Sequence, residues 1–175
     1  MPQKIAVFFF VLLDIICSGP LKAAPLVEII DIKWCSSIAT SEDLEKNKEP
    51  VGLHENGSIF SGPKLYLWMK VKGGQKALDQ LRQGRRVDII QRWKYQYYGA
   101  QTDPIDVSIE GKKLNEDIIS KLQQEINQRG YFDWRTWGTK DNLKAAEYNV
   151  DVVNAFYSPL DCARLLSCAM NIRLR

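Results

Sequence analysis

Tyr131-Phe-Asp-Trp-Arg-Thr-Trp-Gly-Thr-Lys140, followed after a polar break by Tyr148-Asn-Val-Asp-Val-Val-Asn-Ala-Phe156, reads as two β-strands. Two tryptophans open the pair, and Tyr148, Val150, Val152 and Phe156 give its second member an apolar face. Side chains of a strand alternate between faces, so this pair offers cover to other half-apolar strands. The rest of the chain supplies them. Leu26 to Cys35 alternates, with Leu26, Ile30, Ile32 and Trp34 expected on one face and Glu28 the exception. Lys64 to Lys72 puts Leu65, Leu67, Met69 and Val71 one way and Tyr66, Trp68, Lys70 and Lys72 the other. Val87 to Tyr98 carries Val87, Ile89, Trp93, Tyr95 and Tyr97 on one face, interrupted by Gln91. Pro104 to Glu110 alternates throughout, with Ile105, Val107 and Ile109 pointing inward.

Three stretches change period. Gln75 to Gln83 predicts a short helix on Ala77, Leu78 and Leu81, stopped by Gly84. Leu114, Ile118, Ile119, Leu122 and Ile126 form the stripe of an amphipathic helix ending at Gly130. Its Asn115-Glu-Asp start places carboxylates at the positive end of the helix dipole. Ser158-Pro159 resembles a helix N-cap with proline in the first turn, predicting a short helix to about Met170. Residues 36–63 read as a long polar loop, with one helical turn over 41–46 and a tight turn at Asn56-Gly57. Asn56-Gly57-Ser58 also fits a glycosylation acceptor, which the turn explains by itself. Half-buried strands with helical insertions predict a mainly β fold, an antiparallel, immunoglobulin-like β-sandwich. The alternative is an α+β open antiparallel sheet with the 114–129 helix packed on one face.

The first 23 residues differ in kind. Lys4 precedes an apolar run from Ile5 to Ile16, then come Ser18-Gly19-Pro20 and Leu21-Lys22-Ala23-Ala24-Pro25. This is the pattern of a secretory signal peptide cut after Ala23, leaving 24–175 as a single exported domain, periplasmic or secreted. No later run is long and apolar enough to cross a membrane. Lys and Arg number 24 against 21 Asp and Glu; without Lys4, Lys22 and Asp14 the balance is 22 to 20, or +2. That balance, with no basic run, excludes an electrostatic footprint for nucleic acid.

Export also frames the cysteines. Cys35, Cys162 and Cys168 remain after cleavage, an odd number in an oxidising compartment. A helix over 159–170 would point Cys162 and Cys168 apart, so Cys35 is expected to pair with one of them. The third would be a buried free thiol or would join two chains into a dimer.

At these residues the chain resembles a bacterial family known as domain of unknown function 2914. Lys48-Glu-Pro-Val51, Leu65-Tyr-Leu-Trp-Met-Lys-Val-Lys-Gly73, Gln91-Arg92-Trp93 and Asp133-Trp-Arg-Thr-Trp-Gly-Thr-Lys140 with Val150-Asp-Val-Val153 match its blocks in order, across about residues 30–157. Gln91 stands where the family has His, Gly138 where it has Ser, and the helix at 112–130 looks like an insertion. The resemblance implies a fold class and an exported location; it implies no reaction.

Catalytic chemistry has little to build on. His54 is the sole histidine, so neither a His/Cys metal site nor a Ser-His-Asp triad is expected, and no cofactor motif is present. Asp133 with Asp106 or Glu110 is the one pairing that could hydrolyse a glycosidic bond, the reading of an envelope polysaccharide hydrolase. The aromatics carry more. Tyr66, Trp68, Arg92 and Trp93 are the candidate binding residues, a platform for sugar or peptide unless the 114–129 helix covers it. Trp134, Arg135 and Trp137 are expected to be structural, Arg135 through stacking and an ion pair. The expected function is noncatalytic binding of an envelope protein or glycan; a structural accessory module is the third reading.

Overall fold

The computed structural model describes residues 26–39, 48–95, 102–141, 145–156, 158–162 and 170–174. In chain order its strands are β1 Val27–Ile38, β2 Pro50–His54, β3 Ile59–Phe60, β4 Lys64–Gly73, β5 Arg86–Val87, β6 Ile90–Tyr95, β7 Ile105–Asp106, β8 Ile109–Glu110, β9 Phe132–Asp141, β10 Glu147–Val153, β11 Asp161–Cys162 and β12 Met170–Leu174. Two helices, α1 Gln75–Arg82 and α2 Glu116–Arg129, interrupt them.

Alternation builds the first sheet. β4 lies between β1 and β9, and β1 carries β2 and β11 on its outer edge. The second sheet runs β3-β12-β10-β6-β7, and β5 with β8 forms a short ribbon. Pairing is antiparallel except for β1 with β11 and β3 with β12. Leu65, Leu67, Met69 and Val71 project from β4 into the space between the sheets, where all four are fully buried. Tyr148, Val150 and Val152 face them from β10, with Met170, Ile172 and Leu174 from β12. The mainly β, sandwich-like fold is therefore the one that the alternation predicts.

The core divides in two. Trp34, Trp93 and Tyr148 stack edge to face at 5.2 and 6.4 Å in one half, beside Leu65, Leu67 and Ile172. The helices plug the other half. Ala77, Leu78 and Leu81 of α1 and Ile119 and Leu122 of α2 pack with Met69, Val71, Phe132 and Trp134. Asn115 caps α2 by accepting from the Ile118 N–H at 2.9 Å, and Gly130 closes it at φ 84°, the left-handed region that favours glycine.

Several expectations need correcting. In β1 the register slips between Ile29 and Asp31, so Ile30 is a bulge. The inward face therefore runs Val27, Ile29, then Ile32 and Trp34, and Ile30 is only half-buried. The 36–63 loop contains β2 and β3, which alternation could not reveal because Val51, Leu53 and Ile59 are exposed. Its 41–46 turn lies outside the described residues; the Asn56-Gly57 turn forms, with Gly57 at φ 79°. Phe156 leaves β10's face for a turn and is 87% exposed. The helix expected from Ser158 is absent at its start. Pro159 bridges to Val153, the Leu160 N–H donates to the Val152 carbonyl, and Asp161–Cys162 runs beside β1. At its other end Met170 already belongs to β12, while 163–169 lie outside the described residues.

That change removes the argument for the cysteine pairing. Cys35 is a free thiol, fully buried, so the bridge from Cys35 to Cys162 or Cys168 does not form, and its sulfur is out of reach of a second chain. Cys162 is disulfide-bonded, and its partner is not Cys35. Cys168 lies outside the described residues.

Candidate binding site

Because strands alternate, the residues that β4 and β9 turn away from the core form one outer face. Lys33, Trp68 and Trp137 stand side by side across three strands, with Tyr66 and Lys70 flanking Trp68. A strap crosses this face. Trp68 Nε1 donates to the Lys48 carbonyl at 2.9 Å, the Lys48 ammonium lies 5.4 Å from the Trp137 ring centre, and Glu49 Oε1 accepts from Arg135 Nε at 2.5 Å. Trp68 is thus buried, with its indole N–H held by the Lys48 carbonyl. Cations lie near the other rings, Lys64 by Tyr66 and Lys33 by Trp68. Three of the blocks quoted in the sequence meet in this clasp: Lys48-Glu49, Trp68 and Arg135 with Trp137.

The expected binding group does not converge. Trp93 lies on the other sheet with 0% exposure, its Nε1 donating to Gln91 Oε1, so it can touch no ligand. Arg92 sits opposite Asp151 on the outer side of that second sheet. Tyr66 alone of the four keeps a half-exposed ring on the first sheet. Arg135 holds its ion pair as expected. Trp134 faces the core, while Trp137 is half-buried on the clasp side.

Gln91, the apparent interruption of its strand, is a core residue. Its Nε2 donates to the Leu67 carbonyl at 3.0 Å across the sandwich. A β-carbon at position 138 would lie 2.1 Å from Gln91 Oε1, so any side chain there must displace the Gln91 amide. The two departures noted in the sequence thus touch each other.

Among the described residues β9 is the last strand of its sheet, and a groove of about 470 Å³ follows its edge. Trp134 to Trp137 form one wall and Asp106 to Glu110 the other, with Lys113, Leu114 and Ile118 closing one end. Thr136 Oγ1 donates to the Val107 carbonyl at 2.8 Å, tying the walls together. The carboxylates here are all engaged. Asp106 meets Arg86 Nη2 at 2.6 Å and Ser108 Oγ at 2.6 Å, and Glu110 meets Lys113 at 2.9 Å. Burial pushes the Asp106 carboxyl up, but Ser108 and Arg86 outweigh it and hold it below the ordinary carboxylate value. A glycosidase acid needs the opposite shift. Asp133 is held by Lys70 at 3.1 Å and Arg129 at 2.9 Å and does not line the groove.

His54 Nε2 and Ser36 Oγ are 2.7 Å apart, and the ring meets Phe60 edge-on at 4.9 Å. Among the described residues no carboxylate bonds that ring and no group of three or more metal-ligating side chains gathers. No helix among them is long and apolar enough to cross a membrane. Comparison with protein-family models finds no match, and comparison with curated proteins finds none either.

Proposed function

We propose that this is a noncatalytic exported domain that binds an envelope protein in the groove beside β9. The observation that carries the reading is the groove's make-up. A half-buried tryptophan, Trp137, and the aliphatic Leu114 and Ile118 line a cleft at a sheet edge, with Asp106 and Glu110 at its mouth. Indole flanked by aliphatic surface and a polar rim is the composition of a recognition site. The ion pairing of Asp106 with Arg86, of Glu110 with Lys113 and of Asp133 with Lys70 and Arg129 speaks against a general acid among these carboxylates. Export rests on the signal-peptide pattern of residues 1–23. Kinship with the family of unknown function rests on the sequence blocks, three of which meet in the clasp beside the groove.

Site-specific photocrosslinking in the native envelope tests the reading. A benzophenone side chain in place of Lys113, at the groove rim, should give one discrete adduct that Trp137→Ala weakens. The same group in place of Lys76, exposed on α1, should not. Equal adducts from both positions, or none from 113, would contradict it.

A further inference from the structure

The backbone of β9 says what kind of ligand its groove accepts. The Asp133 N–H donates to Glu125 Oε2 at 3.1 Å, away from β4. In a strand that direction repeats every second residue, so the amides and carbonyls of Trp137 and Thr139 also point away from β4. Among the described residues no backbone group meets them. β2, the edge strand at the opposite side of the sheet, is built differently. The bond from the Ala39 N–H to the Glu49 carbonyl sets its parity, so Pro50 turns its missing N–H outward, and Gly52 bends the strand at φ 66°. Proline on an outer edge blocks strand addition. β9 has no proline along its length.

From this we infer that the partner enters the groove as an extended polypeptide that adds a strand to β9; the inference rests on the binding reading above. Outward donors and acceptors recurring every ~6.8 Å match a polypeptide backbone and not the irregular hydroxyls of a glycan. The walls define the side chains. Trp137, Leu114 and Ile118 take an apolar residue. Glu110 favours a basic residue two positions away on the same strand face. Glu110 is available because its pair with Lys113 is exposed, with side-chain exposures of 46% and 74%, and such pairs exchange readily.

The probe is a set of short random peptides, displayed and panned on the mature protein, with the enriched peptides then synthesised. Sequences with an apolar residue and a Lys or Arg two positions apart are expected. Thr139→Pro should weaken their binding by ~10-fold, the worth of one backbone hydrogen bond, without lowering the melting temperature, because β4 does not use that N–H. N-methylation of alternate peptide amides gives a second reading that leaves the protein untouched. Methylation in one phase should abolish binding and in the other leave it. If Trp137→Ala weakens the peptides but Thr139→Pro and both methylation phases act alike, the groove binds without strand addition, and this inference alone falls. If no peptide is enriched, if none responds to Trp137→Ala, or if the groove proves filled by a second copy of the chain, both readings fall.

Discussion

At position 138 the room for a side chain is already taken by Gln91, whose Oε1 would lie 2.1 Å from a β-carbon there. Gly138→Ala should therefore destabilise by about 1–3 kcal/mol, the usual cost of overpacking. In a Gln91→Ala background the same change should cost much less, and urea unfolding of the four proteins measures that coupling. The sequence marked both positions as unusual. It could not say that they touch, because 47 residues and a sheet-to-sheet gap separate them. Cys35 is a second residue-scale case. Burial pushes its thiol up to about 11, against hydrogen bonds from the Val51 and Ser37 backbones. A raised pKa means that the folded form holds its proton more tightly. Its contribution is fully present below the unfolded pKa, near 9, and is lost as pH rises from there through about 11. Stability measured across that window should fall, and Cys35→Ala should remove that part of the fall. Burial of this thiol was not legible, since the pairing argument leaned on a helix that does not start at Ser158.

Elements were legible where one face is wholly apolar, and illegible where pairing alone makes the strand. β4 and α2 are of the first kind. β2 is of the second: it exposes Val51 and Leu53 and exists because β1 offers it an edge. The bulge at Ile30 flips the phase of a strand whose existence was plain. β12 has clear alternation, with Met170, Ile172 and Leu174 inward, but a helix start upstream obscured it. The groove was only half legible. Trp134, Arg135 and Trp137 stood out as a block, yet nothing local announced that β9 is an edge strand. Alternation along β9 also separates the two tryptophans. Trp134 packs in the core cluster, so Trp134→Ala should cost about 3–5 kcal/mol. Trp137 is half-buried on the clasp side, so Trp137→Ala should cost about 1–2 kcal/mol. Thermal and urea melts compare them; equal losses would contradict the assigned faces.

On the scale of the whole molecule, two sheets close on each other through contacts between the ends of the chain. Trp34 of β1 donates to the Asn171 carbonyl of β12 at 3.1 Å, and β11 lies against β1. Alternation made a sandwich readable, because it is repeated over many strands. Strand order was not readable, since it depends on which edges meet. The exported protein should begin at Ala24, and its intact mass checks this. A chain retaining residues 1–23 in the membrane fraction would remove the compartment on which the partner assignment rests. The central claim is an open β9 edge that a partner strand closes. Residue-resolved hydrogen exchange of the mature protein tests it most directly. Free, β9 should alternate, with slow amides at Trp134, Thr136 and Gly138, which face β4, and fast ones at Trp137 and Thr139. With a panned peptide bound, Trp137 and Thr139 should slow to match. Amides at Trp137 and Thr139 already slow in the free protein, or unchanged by a bound peptide, would contradict the account.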